Sequence, residues 1–149
     1  MSSMLSIGLG HPFLFNTTFN LLLQIITLGL IFLSLYFKIK NNYKIHGTTM
    51  GIALILHVLT FLLIMGPIFF DNYSFFSTET SLSYVQTTWL HAIPGAIALV
   101  LGIYLVLRWT INASNIGGCI KRKRIMDLTL LLWAFSLVFG IATYVLIYF

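Results

Sequence analysis

Four apolar runs, at residues 18–37, 46–70, 85–108 and 124–148, alternate with short polar connections. Each is about 20 residues or longer, the length an α-helix needs to cross the hydrocarbon core of a bilayer. Inside every run, polar or small residues recur three and four positions apart, the period that keeps one helix face turned toward its neighbours. The first run carries Asn20, Gln24, Thr27 and Ser34, and the second His46, Met50, Ala53, His57 and Thr60. The third carries His91, Gly95, Ala98 and Gly102, and the fourth Thr129, Trp133, Ser136, Gly140 and Thr143. In lipid such stripes belong at helix–helix interfaces, because small residues let backbones approach and polar groups hydrogen-bond across the contact. The connections are too short for long crossovers. The pattern therefore predicts an all-α, integral membrane, antiparallel four-helix bundle, running up-down-up-down as a single membrane domain over residues 1–149. Pro67 and Pro94 fall near one end of their helices, and a proline there breaks or kinks the helix and frees a carbonyl that a neighbour or water must satisfy.

Composition sharpens this picture. The chain is 59% hydrophobic and only 7% charged, against roughly 25% charge in soluble domains. A soluble globular protein is excluded and the lipid bilayer is the expected partner. A net charge of +5 raises the question of nucleic acid, but the basic residues cluster beside apolar runs with no aromatic-interleaved soluble domain, so no nucleic acid is expected. Lys38, Lys40 and Lys44 occupy the first connection, and Arg108, Lys121, Arg122, Lys123 and Arg124 the third. The second connection holds Asp71 and Glu79 without Lys or Arg. By the positive-inside rule, this predicts a multi-pass cell-membrane protein with both termini and the acidic connection outside. The first fifteen residues lack the basic n-region of a cleavable signal, so the first span reads as retained. The single cysteine, Cys119, excludes an internal disulfide or a multi-cysteine metal site.

Ionisable residues within a span are functional-site candidates by default. At a rise of about 1.5 Å per residue, His57 sits roughly 16 Å from His46, near mid-bilayer, while His91 is level with Met65. His46 lies at the basic end, and His11 in the segment before the first span. A b-type haem between helices needs two axial ligands at nearly one level, and the offset of roughly 12 Å disfavours His57 with His91. His91 with Met65 is better levelled for haem, and His91 with His11 offers donors suited to copper. The competing reading is packing: an intramembrane His57 hydrogen-bonds a carbonyl, or Gln24, Thr27 or Ser136 at similar depth, and methionines such as Met65 fill the core.

Enzyme signatures are missing: there is no H-E-x-x-H, no G-x-S-x-G, no glycine-rich phosphate loop and no pair of intramembrane carboxylates. Asp127, the one acid within a span, is expected to pair with Lys123, Arg124 or His46 near its helix N-terminus. Three acids in the whole chain also leave little for a transport path with titratable steps.

The run His46-Gly47-Thr48-Thr49-Met50, His91 near the start of the third span, and Thr129, Trp133, Gly140 and Tyr144 after a basic cluster resemble a family of small four-helix membrane proteins. That family, found in bacteria and archaea, includes the CtaM assembly factor for haem-A-containing terminal oxidases. The resemblance covers roughly residues 44–149. The family's His before the fourth helix, Arg near its start and Pro before the Trp correspond here to Arg122, Asp127 and Leu131. The resemblance implies a non-enzymatic role in assembling or accompanying a haem- or copper-containing membrane complex, such as a terminal oxidase. His57, His91, His46 and Met65 are then candidate cofactor contacts, and His11 and His91 candidate metal ligands. The alternatives are a small haem-binding electron carrier and a structural accessory subunit of a membrane oxidase or monooxygenase.

Overall fold

The computed structural model describes residues 11–111 and 122–148, with side chains from Thr17 onward. Helix α1 (His11–Ile39) ends where Asn41 adopts a left-handed conformation, φ 58°. Two hydrogen bonds close that end, from the Asn42 N–H to the Phe37 carbonyl at 2.9 Å and from the Asn41 N–H to the Lys38 carbonyl at 3.1 Å. This is the Schellman arrangement, and asparagine tolerates its left-handed position better than most residues. Asn42 then caps α2 (Tyr43–Thr60), its side-chain oxygen accepting the Ile45 N–H at 3.3 Å. The chain reverses within three residues, which forces α1 and α2 to be antiparallel neighbours.

The second span continues beyond α2 through a π-helical turn (Phe61–Met65) into α3 (Gly66–Asp71). Pro67 supplies no N–H, and a regular helix would press its ring against the carbonyl four residues earlier. Here the Gly66 N–H reaches back to the Phe61 carbonyl, so the turn widens instead of breaking. Residue 66 must be small, because a Cβ there would lie 2.8 Å from that carbonyl oxygen. A short α4 (Tyr73–Thr78) precedes α5 (Ser83–Ile111). Phe76 of α4 stacks on Phe69, Trp89 meets Phe69 edge-on, and the Trp89 indole donates to the Phe76 carbonyl at 3.0 Å. These contacts make an aromatic cap over one end of the bundle. Pro94 lies inside α5, and α6 (Lys123–Tyr148) completes the fold.

The long helices form a ring in the order α1, α2, α5, α6 and back to α1, with the α1–α2 and α5–α6 hairpins in the most extensive contact. All four are long and apolar enough to span a membrane, and the protein is a multi-pass, all-α antiparallel bundle. Its interior follows the stripes: Gln24, Thr27, Ser34, His46, His57, Thr60, Thr129 and Ser136 are buried beside Ile31, Ala53, Leu54, Ala98, Trp133 and Leu137. Large residues such as Phe32, Ile55, Leu63, Val100 and Leu131 are exposed, as expected when the solvent is lipid. The buried threonines satisfy themselves on their own helices, Thr27 donating to the Leu23 carbonyl and Thr129 to that of Ile125.

One pairing differs from expectation. Asp127 bonds Lys38 of α1 at 2.9 Å, because ring closure brings the C-terminal end of α1 beside the N-terminal end of α6. Both side chains are substantially exposed, so Asp127→Asn should cost less than about 1 kcal/mol. Thermal unfolding of the purified variant in detergent checks this.

Candidate functional site

Two serine–histidine clasps hold the hairpins together. At the basic end, the Ser34 hydroxyl donates to the His46 carbonyl at 3.1 Å, while His46 Nδ1 lies 2.7 Å from Ser34 Oγ and 3.0 Å from the Ser34 carbonyl. Toward the aromatic end, the Ser136 hydroxyl donates to the His91 carbonyl at 2.7 Å, with His91 Nδ1 2.8 Å from the Ser136 carbonyl and 3.2 Å from Ser136 Oγ. One clasp joins α1 to α2 and the other α5 to α6. The second sits where Pro94 has interrupted the backbone ladder and where Gly95 lets α6 close in; a Cβ on Gly95 would lie 2.7 Å from Ser136 Oγ.

The clasp determines the His91 tautomer. The serine spends its one hydroxyl proton on the His91 carbonyl, so both oxygens facing Nδ1 are acceptors and Nδ1 carries the ring proton. Nε2 is then a bare lone pair. It points at Met65 Sδ, 3.4 Å away, and a thioether sulfur has no proton to give. The levelling that helix rise predicts thus brings an imidazole nitrogen and a soft thioether sulfur into contact.

Around them lies a cavity of about 490 Å³, lined by Asn20, Gln24, His57, Met65, His91 and Ser136 among others. Its hydroxyl and indole protons are largely committed: Thr88 donates to the Tyr84 carbonyl, Trp89 to that of Phe76, Thr143 to that of Phe139 and Ser136 to that of His91. Its acceptors are not. Gln24 donates its amide weakly to Met65 Sδ at 3.9 Å, and its Oε1, like Asn20 Oδ1, is buried without a partner. Buried polar atoms are normally paired, and these two oxygens, sealed from solvent, are left unmet in the packed wall.

The other sequence candidates fall differently. His57 lines the same cavity and packs edge-on against Trp133 at 5.3 Å; Ser136, expected as its partner, engages His91, and Thr27 bonds its own helix. His46 is about 16 Å from His57 along the rod, held by Ser34 in a separate part of the bundle. The side chain of His11 lies outside the described residues, but its backbone opens α1. The pairing of His11 with His91 at copper falls on that side chain and so lies outside the described residues. Among the described residues, no group of three or more His, Cys, Asp or Glu is placed to hold a metal ion; the donor set here pairs imidazole with thioether. Gln24 and Asn20 were legible as stripe residues, yet nothing in their spacing marks their amide oxygens as unpartnered.

Fold and cavity together define a class: a multi-pass helical membrane bundle with a half-buried imidazole–thioether pair. No family model, curated protein or solved structure matches the chain.

Proposed function

We propose that this protein is a non-enzymatic membrane factor that holds copper(I) for a metal-containing membrane complex, such as a terminal oxidase, in assembly or as an accessory. The observation that carries the reading is the proton-free Nε2 of His91 set 3.4 Å from Met65 Sδ. Soft thioether ligands favour copper(I), and imidazole also suits copper. Typical bonds of about 2.0 Å to nitrogen and 2.3 Å to sulfur put two donors at neighbouring tetrahedral positions roughly 3.5 Å apart. His91 and Met65 would hold the ion, with His57 on the same cavity as a further imidazole. The Ser136 carbonyl on Nδ1 is the outer partner that fixes a ligating histidine's orientation. Copper(I) held there would supply a soft cation to a partner with more thiolate or imidazole ligands.

The same distance argues against haem on this pair. Axial ligands on opposite faces of a porphyrin lie roughly 4.3 Å apart by the same bond lengths, with the macrocycle between them. Atoms 3.4 Å apart would have to separate to admit it. The test is metal analysis of the purified chain after copper(I) loading, with a visible spectrum of the same sample. One copper per chain and no haem band is expected. A haem band, or copper no higher in the parent than in Met65→Leu, overturns the proposal.

A further inference from the structure

A second cavity, of about 620 Å³, opens at the basic end of the bundle, separate from the histidine–methionine site. Its lining includes Lys38, Arg108 and Lys123, and Met50, Leu54 and Trp133 deeper in. From Lys123 to Trp133 is ten residues of α6, so the space runs about 15 Å along the helix axis. Lys38 is partly neutralised by Asp127, whereas Arg108 and Lys123 are exposed and, among the described residues, no carboxylate lines the cavity. Its volume lies in the range of pockets that take small organic molecules. A second observation concerns its interior: Trp133 is 1% exposed, yet its indole N–H has no hydrogen-bond partner. Trp133 is thus closely packed and closes the inner end of the space.

We infer that this cavity binds an anionic phospholipid, its phosphate on Arg108 and Lys123 and its glycerol and acyl portion along Met50, Leu54 and Trp133. The chemistry of the walls selects the class. A cationic mouth matches a phosphate, and an apolar channel within a membrane helix bundle matches a chain that a free phosphate lacks. Basic pockets between membrane helices take anionic headgroups for this reason.

The experiment uses the full chain in detergent, titrated with dioleoyl phosphatidylglycerol, dioleoyl phosphatidylcholine or inorganic phosphate and read by native mass spectrometry. One phosphatidylglycerol per chain should be retained, with phosphatidylcholine at least tenfold weaker, about the effect of two interfacial cations. Millimolar phosphate should not displace the lipid; displacement assigns the site to a free anion and overturns the proposal. Arg108→Gln and Lys123→Gln should each weaken retention about fivefold, and their exposure leaves folding intact, checked by circular dichroism. Lys40→Gln and Arg124→Gln, which lie outside the lining, should leave retention unchanged. Equal losses in all four variants would mean unspecific surface charge and sink the assignment.

Discussion

Gly140→Ala should destabilise the bundle by about 1–3 kcal/mol, the usual cost of overpacking a tight interior. A Cβ at residue 140 would collide with Gln24 Oε1 and lie 2.8 Å from His91 Nδ1. Of the two obstacles, Gln24 is the end of a flexible side chain and can yield. His91 cannot move without surrendering its bonds to both oxygens of Ser136. Combining the change with Gln24→Ala should therefore recover only part of the loss. Gly29→Ala is the control: nothing lies within 4 Å of its Cβ position, so it should be neutral or gain up to about 1 kcal/mol from helix propensity. Thermal melting or denaturant titration in detergent reads all three. A Gly140→Ala chain as stable as the parent would show that α6 does not approach α1 and α5 as closely as described, and would undercut the cavity built there.

Much of this arrangement was legible in the sequence, for a definite physical reason. Lipid removes the distinction between apolar residues that makes soluble cores readable, leaving polar and small residues to mark the interior. The stripes from Gln24 to Ser34, from Gly95 to Gly102 and from Thr129 to Gly140 are the buried faces. Helix rise alone was enough to bring Met65 level with His91. It failed for Ser136, because rise fixes distance along one helix but not the stagger between two. Ser136 lies twelve residues from the end of α6 and His91 eight from the start of α5, an offset of about one turn set by the close approach at Gly95. Ring order is equally invisible in composition, so Lys38 was not seen as the partner of Asp127. Pro67 announced a disrupted helix but not that Gly66 would close a π-turn, and six-residue α4 is too short for any period to show.

His46 and His91 share one clasp geometry, and alanine at the two positions should nevertheless give opposite signatures. His46→Ala removes the ring that bonds Ser34 and leaves a hole at the α1–α2 interface. A loss of about 2 kcal/mol is expected from the cavity and the interhelical bonds, with copper binding unchanged, since the ring is about 16 Å from His57 along its rod. His91→Ala opens a comparable hole between α5 and α6 and should cost a similar amount. It should also abolish copper(I) binding, because the imidazole nitrogen set against Met65 Sδ is gone. Ser136→Ala separates the two roles within that clasp. The Ser136 carbonyl, at 2.8 Å, still holds Nδ1–H, so the tautomer and the exposed Nε2 persist while the hydroxyl bond to the His91 carbonyl is lost. Stability should fall by about 1 kcal/mol with most of the copper retained. Competition against a chromophoric copper(I) chelator, run beside thermal melts of the same samples, separates these cases. Copper loss that tracked stability across all three variants would reduce His91 to a packing residue like His46; loss confined to His91→Ala assigns the metal to its Nε2.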